Sequence, residues 1–156
     1  MHTLAQLKIL RCYKPDDFGK PKSIELHSFS DASISGYGQC SYVRMVNDQQ
    51  KVHCSLVMAK SWVTPLKPVT VPRLELTAAV VSTNISAFLW KELKYGCVPK
   101  CFWTESKVVL GYISNKARRF HTFVANRVQG IRDHTSPGKW HYIDTKDNPA
   151  DDASRG

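Results

Sequence analysis

The sequence is short of acidic residues, and it lacks the patterns of a membrane segment and of a structural zinc site. It holds 13 Asp and Glu against 22 Lys and Arg, and its five cysteines form no Cys-x-x-Cys pair. No apolar run approaches the roughly 18 to 20 residues of a membrane span, and Met1–Leu7 lacks the basic start of a signal peptide. We therefore predict an intracellular protein that is not secreted and whose cysteines are reduced thiols.

What the sequence has in excess is positive charge. The formal net charge is +9 at pH 7 over 156 residues, of which 42% are hydrophobic. This length and composition predict one soluble globular domain with its own core. Such a basic domain favours polyanionic partners, either nucleic acid or an anionic membrane surface, and the charge alone does not choose between them.

Apolar periodicity predicts an α/β domain at residues 24–156, preceded by a linker at residues 1–23. Three strand-forming segments joined by short turns predict an antiparallel meander, after which apolar residues recur at the three- and four-residue spacing of a helix. In chain order, the predicted strands and helices cover residues 24–30, 36–46, 51–63, 72–96, 101–104, 106–114, 120–136, 139–143 and 148 onward. The order β-β-β-α-β-α-α-β-α predicts a mixed five-stranded sheet with helices on both faces.

Four acids lie at the predicted ends of strands or the starts of helices. Asp31 ends the first and central strand, Glu105 follows the fourth strand, and Glu75 and Asp151 lie in the first turns of two helices. Ligands of open α/β sheets gather at the carboxyl ends of the strands, so these carboxylates are predicted to converge. Oxygen ligands suit Mg²⁺ or Mn²⁺, and two such ions about 4 Å apart can catalyse phosphodiester cleavage. The acids therefore predict a two-metal nuclease site.

Taken singly, each acid also has a structural explanation. Glu75 or Asp151 can favour a helix N-terminus, and Asp31 can stabilise a turn. Asp152 competes with Asp151 for the last ligand position, and the spacing from Asn148 favours Asp151. The argument for catalysis rests on the four acids together.

Basic and polar side chains around the predicted crevice are candidates for substrate contacts. Phosphate contacts that do not read sequence are predicted for Lys60, Lys67, Arg73, Lys107, Arg118 and Arg119. For each of these cations the alternative is a solvated basic face. Ser33 and Asn84 are candidates for contacting the 2′-hydroxyl that distinguishes RNA from DNA. Trp62, in a loop-like stretch, is a candidate nucleic-acid contact, whereas Trp103 and Trp140 are predicted to lie in the core.

Four segments resemble, in order, the ribonuclease H domain of BEL/Pao-type retrotransposon polyproteins, namely residues 24–33, 71–79, 103–113 and 148–151. The resemblance implies a ribonuclease H-like fold and an endonuclease that cuts the RNA strand of RNA/DNA hybrids with two Mg²⁺ ions, or Mn²⁺. It implies that the catalytic metal ligands are Asp31, Glu75, Glu105 and Asp151. The implied partners are the RNA/DNA hybrid and neighbouring reverse transcriptase and integrase regions of a polyprotein, with no membrane.

Position 105 departs from the pattern that the resemblance implies. Similar domains carry Asp there, and this chain carries Glu105. The extra methylene moves the carboxylate by about 1.5 Å, and about 1 Å of misplacement can cost roughly 100-fold in rate. We therefore expect weakened activity that is greater in Mn²⁺ than in Mg²⁺. The alternatives are a nucleic-acid-binding module with impaired catalysis and, as a third reading, a structural connection between polymerase and integrase.

Overall fold

The computed structural model describes residues 14–94, 96, 98–116 and 119–155. Within these residues the chain forms five strands and four α-helices, whose order confirms the predicted one. The elements are β1 Pro21–Ala32, β2 Gly36–Asn47, β3 Val52–Val63, α1 Val71–Leu93, β4 Lys100–Thr104, α2 Lys107–Ser114, α3 Thr122–His134, β5 Trp140–Tyr142 and α4 Asp151–Arg155. Two 3₁₀ turns, Pro137–Lys139 and Thr145–Asp147, flank β5 and are not predicted by the sequence pattern. In the described residues, no helix combines the length and the hydropathy that crossing a membrane requires.

The strands form one sheet in the order β3-β2-β1-β4-β5, with β1 at its centre as predicted. β1 is antiparallel to β2 and parallel to β4, and β4 is parallel to β5. The sheet is therefore mixed, as the sequence predicts. Because β1, β4 and β5 run in the same direction, their carboxyl ends meet at one edge, and this is where Asp31 and Glu105 lie.

The two faces of β1 carry different side chains, because successive residues of a strand point to opposite faces. Leu26 of β1 packs with Val43 of β2 and Leu89 of α1 in a buried cluster. A second buried cluster joins β4 to α1, α2 and α3. Asp31 lies an odd number of residues from Leu26 and so faces the other way, toward the side on which α4 packs against β1 and β2. Helices thus cover both faces of the sheet, as predicted.

Packing begins upstream of the predicted start of the domain. β1 begins at Pro21, before residue 24. Phe18 is only 3% exposed and packs in the cluster beneath α1, and Asn47 Nδ2 donates a hydrogen bond to its carbonyl oxygen at 3.0 Å. Ordered packing therefore reaches back to Phe18. The linker assignment stays a prediction, and its residues 1–13 lie outside the described part of the chain.

The long helix α1 differs from its prediction at both ends. It begins at Val71, with Pro72 in its first turn as predicted, and it ends at Leu93, earlier than predicted. The end follows from Lys94, whose φ of 53° is left-handed and cannot continue a right-handed helix. The first turn contains no acidic residue, so the prediction that places Glu75 there is wrong: Glu75 lies one turn further along.

Candidate active site

A cleft of about 310 Å³ at the carboxyl edge of the sheet is lined by Asp31, Glu105 and Asp151. Asp31 lies near the end of β1 and is only 4% exposed. Glu105 follows β4 directly, and Asp151 is the first residue of α4. The structure therefore brings three of the four predicted acids to one cleft.

Asp31 is the buried member of this group. Its Oδ2 accepts a hydrogen bond from Ser154 Oγ at 2.6 Å. Its Oδ1 is also buried, yet it receives no hydrogen bond from any described residue. A buried carboxylate oxygen without a donor is unfavourable unless a positive charge compensates it. Asp31 Oδ1 therefore fits a bound divalent cation, since Mg²⁺ and similar ions prefer oxygen ligands.

Glu75 lies beside the cleft, in the second turn of α1, and does not form part of the lining. Ser106 Oγ donates a hydrogen bond to its Oε2 at 2.6 Å. Burial raises the pKa of Glu75, the hydrogen bond from Ser106 opposes this, and the negative charge of Asp31 raises the pKa further. Asp31 and Glu75 therefore lie close enough for their charges to repel each other.

Glu105 is the second acid whose pKa is affected by Asp31. Burial raises the pKa of Glu105, and the Asp31 carboxyl group, within hydrogen-bonding reach, raises it further. Hydrogen bonds from Thr145 and Asn148 act in the opposite direction, and Asn148 Nδ2 lies 3.5 Å from Glu105 Oε2. Two carboxylates this close do not readily ionise together, and a cation between them relieves the repulsion.

Asp151 and Asp152 are separated by the geometry of α4. Asp151 lines the cleft with Asp31, and its Oδ1 accepts a hydrogen bond from Arg155 Nε at 2.9 Å. Asp152 is exposed and lines a neighbouring groove beside Cys40. The structure therefore places Asp151, and not Asp152, in the cleft.

The carboxylate groups of these residues are suitable ligands for a divalent cation, although their positions do not form a complete coordination site. Across the described ranges, no group of three or more His, Cys, Asp and Glu side chains is arranged to hold a metal ion. The available donors are carboxylate oxygens, which Mg²⁺ and Mn²⁺ prefer. The donor-free Oδ1 of Asp31 and the raised pKa values of Glu75 and Glu105 are the features that a cation would compensate.

The two residues predicted to contact a 2′-hydroxyl lie in different settings. Ser33 Oγ donates to the carbonyl oxygen of Ser154 at 2.6 Å and accepts from the backbone N–H of Gly36 at 3.3 Å, so its hydroxyl is engaged within the protein. Asn84 is exposed on α1, nine residues beyond Glu75, which corresponds to about 14 Å along the helix axis. Ser33 thus lines the cleft, and Asn84 lies well away from it.

The predicted phosphate contacts are exposed wherever the structure describes them. These exposed cations are Lys60, Lys67, Arg73, Lys107 and Arg119. Lys107 lies two residues after Glu105 in the chain. Its Nζ is 5.1 Å from the centroid of the Tyr142 ring. Arg118 lies outside the described residues. Lys107 and Arg73 are therefore predicted cations that each lie two positions from a site acid, Glu105 and Glu75 respectively.

An arginine pair on α1 and α3 includes one residue that the sequence analysis missed. Arg127 Cζ lies 3.4 Å from the centroid of the Phe123 ring, and Arg73 Cζ lies 4.9 Å from the same centroid. Arg127 Nε also donates to Thr77 Oγ1 at 3.3 Å. The ion pairs found among the described residues involve other side chains, so no carboxylate neutralises this pair. The available signal was the i,i+4 spacing of Phe123 and Arg127, which places both on one face of a helix.

The tryptophans match their predictions only in part. Trp62 lies in β3, with its ring stacked on Tyr37 at 5.5 Å, so its assignment to a loop-like stretch is wrong. Trp140 is 7% exposed and lies in the core as predicted. Trp103 is half-buried and stacks on Phe29 at 6.0 Å, on the face of the sheet that also carries Asp31. It therefore lies outside the two buried clusters.

The sequence and the fold were compared with known proteins. Residues 1–106 match the sequence model of a family described as "Pao retrotransposon-like RNaseH-like domain". No curated protein sequence matches the chain. Among solved structures, RNase H1 from the halophilic archaeon Halobacterium salinarum is similar with a TM-score of 0.56 and 12% identity, over 84% of this chain and 95% of that one.

Two further structures show the same similarity. The N-terminal RNase H domain of Rv2228c from Mycobacterium tuberculosis, solved as a fusion with maltose-binding protein, gives a TM-score of 0.56 at 11% identity, over 85% of this chain and 91% of that one. LC11-RNase H1, solved in complex with an RNA/DNA hybrid, gives 0.55 at 10% identity, over 85% and 94% of the two chains. At identities of 10% to 12%, these similarities establish the fold and not the activity.

Proposed function

Because the chain belongs to the Pao retrotransposon-like RNaseH-like domain family, we propose that it cuts the RNA strand of RNA/DNA hybrids by a two-metal-ion mechanism. One observation carries this proposal: Asp31 Oδ1 is buried without a hydrogen-bond donor in the described residues, in a cleft shared with Glu105 and Asp151. Such a cluster of acids costs free energy when no cation is bound. The protein has a net charge of +9, which favours a polyanionic substrate. Metal-dependent cleavage of such a substrate would explain why a basic protein contains this cluster of acids.

Each acid has a role in this proposal. The proposed ligands of two Mg²⁺ or Mn²⁺ ions are Asp31, Glu75, Glu105 and Asp151. When bound, the ions supply an activated water and stabilise the leaving oxygen of the cleaved phosphodiester. Ser106 and Asn148 donate hydrogen bonds to Glu75 and Glu105, which favours the ionised carboxylates that a metal requires.

Binding of the hybrid is assigned to basic side chains of α1, α2 and α3. Arg73 of α1 and Arg127 of α3 both contact the ring of Phe123. No carboxylate within the described residues forms an ion pair with either arginine. Guanidinium groups bind phosphate through several N–H donors, and such contacts position a nucleic acid without reading its sequence. Lys107 is a further candidate because it lies close to Glu105 along the chain.

The family match also supports a proposal for the biological process in which this activity takes part. We propose that the domain acts during retrotransposon reverse transcription, inside the cell, next to reverse transcriptase and integrase regions of a polyprotein. The match to a Pao retrotransposon-like family supports this setting. The positive charge of the domain is consistent with work on a nucleic acid.

A second candidate function is supported by a specific observation. The resemblance implies Asp at the position of Glu105, and no complete group of three metal-binding side chains is formed in the described residues. Mg²⁺ demands near-ideal octahedral geometry, so a displaced ligand is costly. The second candidate is therefore a module that binds RNA/DNA hybrids but catalyses their cleavage poorly.

The test is cleavage of an end-labelled RNA/DNA hybrid in Mg²⁺ and in Mn²⁺. We expect the wild-type chain to cut, with more product in Mn²⁺, because Mn²⁺ tolerates the longer Glu105 side chain better. Asp31→Asn should abolish cleavage, and Glu105→Asp should increase it in Mg²⁺. Asp152→Asn is the matched control, since Asp152 is exposed outside the cleft and its loss should leave the rate unchanged.

The outcomes separate the two candidates. No cleavage by the wild type but cleavage by Glu105→Asp would support the second candidate, a scaffold silenced at one ligand. Silence in every variant, with hybrid binding retained in a fluorescence polarisation assay, would refute the nuclease and leave a binding module. Equal wild-type rates in the two ions would contradict the role given to Glu105.

A further inference from the structure

The short helix α4 is held in place by contacts outside itself. It spans five residues, too few to be stable alone in water. Ser154, the residue of α4 that lies deepest, is 0% exposed and its Oγ donates to Asp31 Oδ2 at 2.6 Å. In return, Ser33 Oγ donates to the carbonyl oxygen of Ser154 at 2.6 Å. These two bonds form a reciprocal clasp between the end of β1 and α4.

The hydroxyl of Ser154 has two acceptors within reach but only one hydrogen. The second acceptor, the carbonyl oxygen of Asp151, lies 3.0 Å away. The bond to Asp31 is shorter and ends on a charged group, and charge-assisted hydrogen bonds are the stronger ones. Ser154 Oγ therefore donates its hydrogen to Asp31 Oδ2, and Asp31 Oδ1 has no donor among the described residues.

Glycines of β2 allow α4 to approach the sheet this closely. A Cβ atom on Gly38 would lie 2.8 Å from the Cβ of Ala153 and 2.9 Å from the carbonyl oxygen of Lys60. A Cβ atom on Gly36 would lie 3.3 Å from the carbonyl oxygen of Ser154. Gly38 thus permits the close approach on which the clasp depends, whereas a side chain at position 36 would first meet the carbonyl oxygen of Trp62, at 2.7 Å.

We propose that Ser154 is a positioning residue for the metal site, and that Ser33 completes its clasp. Ser154 fixes the Asp31 carboxylate with Oδ1 free, and it anchors the helix that begins with Asp151. The first and last acids of the site are thereby held in one geometry although they lie far apart in the sequence. This inference rests on the proposed function and assigns to Ser154 a role that none of the four acids performs.

The test is Mn²⁺ binding to the full chain by isothermal titration calorimetry, without nucleic acid. Partners that orient metal ligands typically contribute 10- to 100-fold in metal affinity, so Ser154→Ala should weaken Mn²⁺ binding by at least about tenfold. Ser33→Ala should weaken it in the same direction. The matched control is Ser86→Ala, because Ser86 is also a buried serine, its Oγ has no partner in the described residues, and it lies in α1, about 16 Å along the helix from Glu75.

Three further measurements distinguish positioning from loss of fold. Thermal unfolding should show that Ser154→Ala is folded at the temperature of the titration. High Mn²⁺ concentration should restore its hybrid cleavage toward the wild-type kcat, because the defect lies in affinity for the metal. Hydrogen exchange at the amides of Ala153 and residue 154, which bond to the carbonyl oxygen of Ala150, should become at least about tenfold faster in Ser154→Ala and Ser33→Ala.

The results also separate this inference from the proposed function. Mn²⁺ affinity of Ser154→Ala within twofold of wild type would overturn the positioning role, even if the wild type cuts hybrids. Mn²⁺ binding by the wild type without cleavage would refute the nuclease, while the tenfold loss in Ser154→Ala would still support the clasp. No Mn²⁺ binding by the wild type would overturn the positioning role, and the cleavage assay would then decide the proposed function by itself.

Discussion

At the scale of single residues, the buried acids depend on neighbouring hydroxyl and amide groups. Ser106 donates to Glu75, and Asn148 donates to Glu105, in each case against the effect of burial on the carboxyl pKa. A hydrogen bond to the ionised form favours that form. Without a metal, these donors therefore supply part of the compensation that the carboxylates need.

Ser106 has two roles that one substitution removes together. Besides its bond to Glu75, its Oγ accepts the backbone N–H of Val109 at 3.2 Å and so caps α2. We predict that Ser106→Ala lowers the free energy of unfolding by about 0.5 to 2 kcal/mol, the usual value of an N-cap, and raises the pKa of Glu75 further. Urea denaturation and an NMR titration of Glu75 measure the two effects. Ser82→Ala, which removes a buried hydroxyl without a partner in the described residues, should show neither.

The sequence predicts the acids of the site but not the side chains that hold them. Asp31, Glu75 and Asp151 are recognisable because each has a distinct local setting at the end of a strand or near the start of a helix. Their partners are brought to them only by folding: the Asp31–Ser154 contact spans 123 positions and the Glu75–Ser106 contact spans 31. No local period or spacing encodes such a contact, because it depends on how the elements pack.

At the scale of elements, α4 packs closely against β2 because position 38 is a glycine, which has no side chain. Gly38→Ala would place a methyl group 2.8 Å from the Cβ of Ala153 and 2.9 Å from a backbone oxygen of β3. We predict a loss of about 1 to 3 kcal/mol in the free energy of unfolding, as for other overpacked sites, together with weaker Mn²⁺ binding because α4 is displaced. Denaturation and titration calorimetry measure the two effects.

Gly130 provides the matched glycine substitution for that test. It lies inside α3, and a Cβ atom there would meet nothing within 4 Å. Gly130→Ala should therefore raise the free energy of unfolding by about 0.5 to 1 kcal/mol, since Ala is the better helix former. A similar loss of stability in both variants would show that the effect at Gly38 is not specific to the packing of α4.

The elements themselves are predicted well where the sequence has a strong period. The β1–β3 meander and the long helix α1 follow from alternation and from helical spacing, with ends that differ by a few residues. Glu75 lies in the second turn, and not in the first as predicted, because α1 begins at Val71, a residue before Pro72. The 3₁₀ turns around β5 have too few residues to show a period, and the role of α4 depends on Ser154, whose contact with β1 is tertiary.

At the scale of the whole molecule, the acids make stability depend on pH and metal together. The pKa values of Glu75 and Glu105 are raised in the folded state above their ordinary value of 4.5. Their contribution to stability is therefore fully present below pH 4.5 and is lost as the pH rises through the raised values. We predict that the free energy of unfolding of the metal-free wild type declines over this range relative to a Glu75→Gln, Glu105→Gln double variant, as measured by denaturation at several pH values.

The control for this pH dependence has the opposite sign. The hydrogen bond from His27 lowers the pKa of Glu25, so its stabilising effect is present above pH 4.5 and is lost as the pH falls. Glu25→Gln should remove that loss at low pH and leave the decline at higher pH. Mn²⁺ at 100 times its Kd should then stabilise the wild type by about 2.7 kcal/mol for each ion bound at neutral pH, and failure to do so would contradict binding to the folded state.

The net charge of the molecule predicts how hybrid binding responds to salt. Each phosphate neutralised by a cation releases counterions, so the binding constant should fall steeply with salt concentration. Arg127→Ala should weaken binding and reduce the slope of log K against log salt by about 1. Lys51→Ala is the control, because Lys51 is exposed in the β2–β3 turn at the opposite edge of the sheet. An unchanged slope in Arg127→Ala, measured by polarisation at several salt concentrations, would remove Arg127 from the binding surface.

The sheet order has a last consequence, which concerns the growing polypeptide on the ribosome. β1, β2 and β3 are adjacent in the chain and can pair early, whereas β1 meets β4 only after α1 has been synthesised. The acid at position 151 lies later still, in a helix that is stable only once it is docked. We therefore expect nascent chains to acquire most of the fold before they acquire a complete set of acids, so that the cleft forms last in the folding of this domain.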